Sequence, residues 1–212
     1  MSGDHNMQEA FRHGLDIHAA TAAKVFNVDI AAVTREQRSR AKAVNFGIAY
    51  GQGAFGLSQN LGIPRAEAKQ IIDDYFAQFP GVRNYMDEMI GFCRTNGYIK
   101  TLMGRRRYLP DITSANNTVR AQAERIAINA PMQGSAADII KVAMVNIHRE
   151  LTQRRLKSRL LLQVHDELVF DVHHTEAEEL KNLVRERMEG AMTLSVPLVV
   201  DMGMGKNWLD AH

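Results

Sequence analysis

Apolar positions recur at helical spacing over the first 150 residues or so, then bunch into short continuous runs. Residues 6–26 read as helix, favoured by Ala19, Ala20, Ala22 and Ala23. Thr34-Arg35-Glu36-Gln37 has the form of a capping box and opens a helix predicted to run to about Tyr50, where glycines 51, 53 and 56 break it. Pro64 suits the first turn of a helix reaching Gln78; Pro80-Gly81 ends it, and a further helix covers 82–96 up to Asn96-Gly97. Residues 98–103 read as a short strand before the basic loop Gly104-Arg105-Arg106-Arg107. From about 116 to 150 the spacing is helical again, with Ile139, Ile140, Ala143, Met144 and Ile147 on one buried stripe. Pro131 and Gly134 are expected to bend that helix, because proline lacks the backbone donor and crowds the preceding turn.

The apolar runs either side of Asp166-Glu167 predict a hairpin over about 159–172 with the two acids at its tip. Asp-Glu is not a favoured two-residue turn, so the acids point to chemistry, and adjacent carboxylates suit a hard divalent cation. A helix at 175–191 and a short strand at 196–202 close the chain. The predicted class is α+β, mostly helical, followed by a small antiparallel sheet.

Composition narrows this modestly. With 212 residues, 45% of them hydrophobic, the chain can bury a sizeable core. Its single cysteine, Cys93, excludes an internal disulfide and a cysteine-rich zinc site, and fits a reduced, cytosolic setting. The N-terminus is polar, without the pattern of a signal peptide, and no run reaches the roughly 18 apolar residues of a membrane span. The net charge of +2 hides an asymmetry: seven basic residues against two acids over 94–125, eight acids against three basic residues over 166–189. Solvated faces show such runs, and so does a protein that holds a polyanion on one surface and metal ions near another.

Arg38, Lys42, Phe46 and Tyr50 recur every fourth residue, drifting by about 40° per step, so they share one side of the predicted helix. Two cations followed by two rings can grip a phosphorylated aromatic ligand; core aromatics beside surface charges carry the same spacing. Arg125, Asn129 and Gln133 share that spacing on the later helix and can reach duplex sugars and groove edges, as can any exposed polar face. His165 lacks the spacing or cysteine partner of a zinc site, His173-His174 reads as surface, and Gly51-Gln52-Gly53 lacks the ending of a phosphate-binding P-loop.

Together these segments resemble family A DNA polymerases, the bacterial DNA polymerase I type. Arg38 to Gly51 is similar to the fingers signature, motif B, and Gln163-Val164-His165-Asp166-Glu167-Leu168 to the palm signature, motif C. Gly104-Arg105-Arg106, Leu109-Pro110-Asp111 and Asn129-Ala130-Pro131-Met132-Gln133-Gly134 are also similar to the family. The resemblance implies a fingers subdomain over 1–115, a partial palm over 116–212, and template-directed transfer of a nucleotide from a dNTP to a primer 3′-OH. It implies that Asp166 ligates a Mg²⁺ pair with Glu167 in support, that Arg38, Lys42 and His18 meet the triphosphate, and that Phe46 lies against sugar and base with Tyr50 at the template side. It further implies that Arg125, Asn129 and Gln133 contact primer and template, that His165 lies near the primer end, and that phenylalanine at position 46 goes with rejection of dideoxynucleotides.

One departure stands against these matches. The family's second metal-binding aspartate belongs to an Asp-Tyr-Ser-Gln-Ile-Glu string, and no such string occurs in this chain. The expectation is therefore a fingers and partial-palm piece of a replication and repair polymerase of the bacterial cytosol and nucleoid, with an incomplete two-metal site. Its alternative function is that of a catalytically incompetent module binding dNTP and primer-template DNA. An unpaired palm edge would favour self-association. An unrelated Mg²⁺ phosphotransferase would differ by turning over without a template.

Overall fold

A computed structural model describes residues 1–211. It is mostly helical with two small antiparallel sheets, each of two strands. The chain divides into two compact units, 1–132 and 133–212, and the division falls inside its longest helix.

The first unit begins with α1 (His5–Arg12) and α2 (Ile17–Phe26), where the sequence predicts one helix. Gly14, at φ 62°, ends the first, and Asp16 caps the second by accepting from the Ala19 amide at 3.0 Å. α3 (Arg35–Ala49) carries the predicted capping box: Gln37 N donates to Thr34 Oγ1 and Thr34 N to Gln37 Oε1. α4 (Ala54–Leu61) is an element the glycines concealed, since Gly53 sits at its N-cap and Gly56 within it. α5 (Arg65–Gln78) and α6 (Pro80–Asn96) follow as predicted, and Gly97, at φ 76°, caps α6.

Two apolar clusters hold this unit. Val44 and Ile48 of α3 meet Leu57, Tyr75, Phe79, Tyr85 and Ile128 in one. Cys93, Ile99, Leu109 and Ile112 meet the small faces of Ala123, Ala127 and Ala130 in the other. The predicted strand at 98–103 is shorter and has a partner: β1 (Tyr98–Lys100) pairs antiparallel with β2 (Arg106–Tyr108), so part of the basic loop is strand. Asp4 is buried and joins two helix starts, accepting from Met7 N at 2.8 Å and from Gly81 N at 2.7 Å.

α7 (Asn117–Gln153) is one continuous helix through Pro131, whose ring is fully buried, and through Gly134. In the second unit its end packs with α8 (Ala177–Glu189) through Ile147, Leu151, Leu180, Leu183 and Val184. Glu150 ties the two helices, accepting from Arg187 at 2.5 Å and Arg154 at 2.9 Å. β3 (Arg159–Val164) and β4 (Glu167–Asp171) form the predicted hairpin, with an irregular register between Leu160 and Leu162. The strand predicted at 196–202 does not form. Its apolar residues find no sheet edge, and Val200 N donates to Glu189 Oε1 instead.

Glu176, just before α8, holds the segment that leads into β3. It accepts from Lys157 N, Ser158 N and Ser158 Oγ, which pulls its carboxyl down to about 2.

Two stability predictions follow from these caps. Asp4→Ala strands the Met7 and Gly81 amides and should cost about 1–3 kcal/mol in urea unfolding. The depressed Glu176 carboxyl contributes stability above its ordinary value of 4.5, and that contribution is lost as pH falls towards about 2. Glu176→Gln should therefore lower the melting temperature at pH 7 and flatten its fall between pH 5 and about pH 2.5. An unchanged profile would remove Glu176 from the acid response.

Candidate nucleotide and nucleic-acid sites

α3 buries Ala41, Val44, Asn45 and Ile48, so Arg38, Lys42, Phe46 and Tyr50 all lie at its exposed side. The fourfold spacing thus gives a real face. His18 of α2 joins it, its ring centroid 5.8 Å from that of Phe46, which in turn lies 6.1 Å from Tyr50. Lys42 Nζ stands 5.8 Å from the Phe46 ring centre. Arg38 Nε donates to Asp16 Oδ2 at 2.5 Å, so the carboxylate that caps α2 also orients the first cation. That hydrogen bond holds the Asp16 carboxyl below its ordinary range.

Asn45, a residue the sequence reading passed over, links the two helices beneath this face. It lies 3.0 Å from His18 Nδ1, and its Oδ1 accepts from Thr21 Oγ1 at 2.9 Å. Burial lowers the His18 pKa, Arg38 lowers it further, Asp16 opposes, and Lys42 adds to the fall. The ring is thereby kept towards its neutral, hydrogen-bonding form beside two fixed cations.

At the end of α3 the chain turns through Gly51 at φ 80°, a conformation that favours glycine. An added Cβ there would meet Ile128 at 3.4 Å and Arg125 Cγ at 3.5 Å. Asn129 Nδ2 donates to the Tyr50 carbonyl at 3.3 Å, while its Oδ1 is buried without a partner among the described residues. Arg125 and Asn129 are thus brought to the Tyr50 end of the face. Gln52, another residue unmarked by spacing, inserts its amide between Gly47 and Gly56, where added methyl groups would meet it at 2.1 and 3.0 Å. A mainly apolar cavity of about 680 Å³ opens on the far side of this turn, lined by Ile48, Gln52, Ile72, Phe76, Met86 and Ile128 among others. None of His18, Arg38, Lys42, Phe46 or Tyr50 lines it.

Gln133 lies in the second unit, exposed on α7. The hairpin there differs from its expected form. Val164 pairs with Glu167, so the two-residue tip is His165-Asp166 and Glu167 is the first residue of β4. His165 takes φ 54°, the left-handed conformation needed at the first position of a tight hairpin turn, and Gln163 Nε2 donates to its carbonyl at 2.7 Å. Pairing register overrides the acidic pair as the turn, because it keeps Leu168 and Phe170 on the core side. His165, Asp166 and Glu167 are all exposed. Carboxylate oxygens fit a hard cation, but no group of three His, Cys, Asp or Glu side chains suited to a metal occurs among the described residues.

The family model for DNA polymerase family A matches residues 1–210. The chain belongs to DNA polymerase family A. It is 55% identical over 208 residues to DNA polymerase I of Geobacillus stearothermophilus, covering 98% of this chain and 24% of that one. Against DNA polymerase I of Pseudomonas aeruginosa it is 50% identical over 212 residues, covering 100% of this chain and 23% of the relative. The chain spans about a quarter of the length of the curated relatives it matches. Among solved structures it is similar to the POL domain of Pol1 from M. smegmatis in complex with DNA primer-template and dNTP, with TM-score 0.94 and 50% identity over 99% of this chain and 37% of that one. No helix among the described residues is long and apolar enough to cross a membrane.

The signed influences on His18 are measurable by NMR titration. Lys42→Ala should raise its pKa, and Asp16→Asn should lower it further. A titration unmoved by both would rule out the coupling.

Proposed function

We propose that this chain is the fingers (1–115) and part of the palm (116–212) of a DNA-directed DNA polymerase. The face of Arg38, Lys42, Phe46 and Tyr50, completed by His18, carries the reading, because it combines two cations with neighbouring exposed rings on one side of one helix. Arg38, Lys42 and His18 hold the triphosphate of the incoming dNTP, and Lys42 offsets charge on the departing pyrophosphate. Phe46 lies against the sugar and base, and Tyr50 stands at the template side. Arg125, Asn129 and Gln133 contact primer and template as hydrogen-bond donors to sugars and groove edges, and the sugar contacts fix register without reading sequence. His165 lies at the primer end.

Asp166 is the metal-ligating carboxylate of this chain, with Glu167 beside it in sequence and Mg²⁺ the cation their oxygen chemistry suits. When bound, a pair of such ions stabilises the attacking and leaving oxygens of the in-line displacement. The bacterial origin of the relatives supports a cytosolic, nucleoid-associated enzyme of replication and repair. Exposed Leu161 and Leu162 on the two-stranded sheet support further strand pairing, in the parent polymerase or between copies. A second reading, favoured by the absence of a three-ligand metal cluster among the described residues, is that the chain alone binds dNTP and DNA without turnover.

Primer extension separates these readings. The 212-residue chain should bind dNTP with an affinity that falls in Lys42→Ala, and should not extend a primer. In the full polymerase bearing this sequence, Asp166→Ala should reduce extension by about a thousandfold or more, the equivalent of roughly 4 kcal/mol of lost charge stabilisation. Phe46→Tyr in that enzyme should ease dideoxynucleotide incorporation. Extension by the chain alone that depends on Asp166 would overturn the binding-module reading, and undiminished extension by the Asp166→Ala polymerase would overturn its assignment.

A further inference from the structure

The β1–β2 hairpin has one face turned to the core and one turned outward. Ile99 is fully buried with Cys93, Leu109 and Ile112. Strand alternation therefore puts Tyr98, Lys100, Arg106 and Tyr108 together on the opposite face. Their register makes two cross-strand pairs, Tyr98 with Tyr108 and Lys100 with Arg106. The second is a like-charge pair directly opposed, an arrangement that costs stability. Neither cation forms a salt bridge among the described residues; Arg106 lies 4.6 Å from the Tyr98 ring centre and Lys100 5.8 Å from that of Phe92. Tyr98 stands edge-on to Phe92 and 5.7 Å from Tyr108, which is 67% exposed. The turn that joins the strands is built firmly: Thr101 N donates to Arg105 O, and Arg105 N to the buried Thr101 hydroxyl.

We propose that this face is a contact surface for single-stranded nucleic acid, with Lys100 and Arg106 on its phosphates and Tyr108 stacked on a base. A pair of opposed cations held rigid at a stability cost is relieved when an anion bridges them. An open ring next to that pair matches the alternation of phosphate and base along a strand, and such stacking tolerates any base. An acidic peptide offers the charge but no planar group for the ring. Only the identity of the strand, the unpaired template ahead of synthesis, rests on the polymerase reading; the binding itself does not.

Fluorescence anisotropy of a labelled oligothymidylate with the 212-residue chain tests this. Lys100→Glu should weaken binding by about tenfold and reduce the log–log salt slope by about one. The same variant should raise the melting temperature, because it turns the like-charge pair into an opposite-charge one. Tyr108→Ala should weaken binding by at least about fivefold. It should also abolish the preference for oligothymidylate over an abasic phosphodiester of equal length. Arg185→Glu, at an exposed position of α8, makes the same charge change and should have little effect. Equal losses in Lys100→Glu and Arg185→Glu would overturn the proposal, as would displacement of the oligonucleotide by polyglutamate as effectively as by unlabelled strand. Lys100→Glu should leave the chain's dNTP affinity unchanged, so failure of the nucleotide assignment and failure of this one give different results.

Discussion

The rotation of α3 about its own axis is the constraint on which the first unit's chemistry depends. Ala41, Val44, Asn45 and Ile48 are buried at successive helical spacings, and that stripe admits one orientation of the helix. Turning α3 by one residue would drive Lys42 and Phe46 towards the core and expose Val44 and Ile48, losing about 1.5–3 kcal/mol for each large apolar side chain. The adjoining side then presents Arg38, Lys42, Phe46 and Tyr50 without further specification. Asn45 sits at the border of stripe and face. It is buried, yet it meets the polar edge of His18 and the hydroxyl of Thr21, so the same side chain that completes the packing sets the partner ring in place.

Capping chemistry sets where this face begins and ends. The reciprocal Thr34–Gln37 bonds start α3, and the left-handed Gly51 stops it where Tyr50 is the last residue on the face. Gly51 turns the chain at φ 80° with Ile128 and Arg125 of α7 alongside, and Asn129 of the same helix reaches the Tyr50 carbonyl. Within the first unit, Asn129 of α7 is therefore tied to the Tyr50 end of the α3 face through a backbone carbonyl, which is stiffer than a contact between side-chain tips. Asp16 works similarly from α2: one carboxylate caps the helix that carries His18 and holds Arg38 extended beside it.

Much of this was legible in the residues. A capping box, an apolar stripe and a proline at a first turn are local signals, and α3, α5, α6 and the long α7 lie where those signals put them. What escaped depends on contacts remote in sequence. Asp4 looks like part of a polar N-terminus until Gly81 is brought to it by α6. Gln52 looks like a loop residue until Gly47 and Gly56 leave a slot for its amide. The glycines around it read as breakers, yet one of them starts α4. The residues at 196–202 have a strand's composition but no edge to pair with, and β propensity without a partner decides nothing. Of the candidate site residues, the shared face of Arg38, Lys42, Phe46 and Tyr50 was legible because one helix carries it, while the place of Asn45 was not, since its hydrogen bonds need α2 beside it.

The tip of the second hairpin is where local preference and function separate. A left-handed φ is uncommon for any residue but glycine, though histidine tolerates it better than most, and His165 holds it in a two-residue turn with a carboxylate following. Strain of this kind persists where surrounding structure over-determines it. Here the determinants are visible: the cross-strand register, the apolar side of β4 packed with the α8 cluster, and the Gln163 amide clamped on the His165 carbonyl. Asn-Gly would make the turn at lower cost but would remove both the ring and the acid from the tip. Keeping His-Asp there projects a carboxylate from a rigid support, with no acidic neighbour forced into the turn itself. The metal-ligating role proposed for Asp166 needs that property more than it needs a relaxed turn, since an oxygen donor held still loses little freedom on binding a cation.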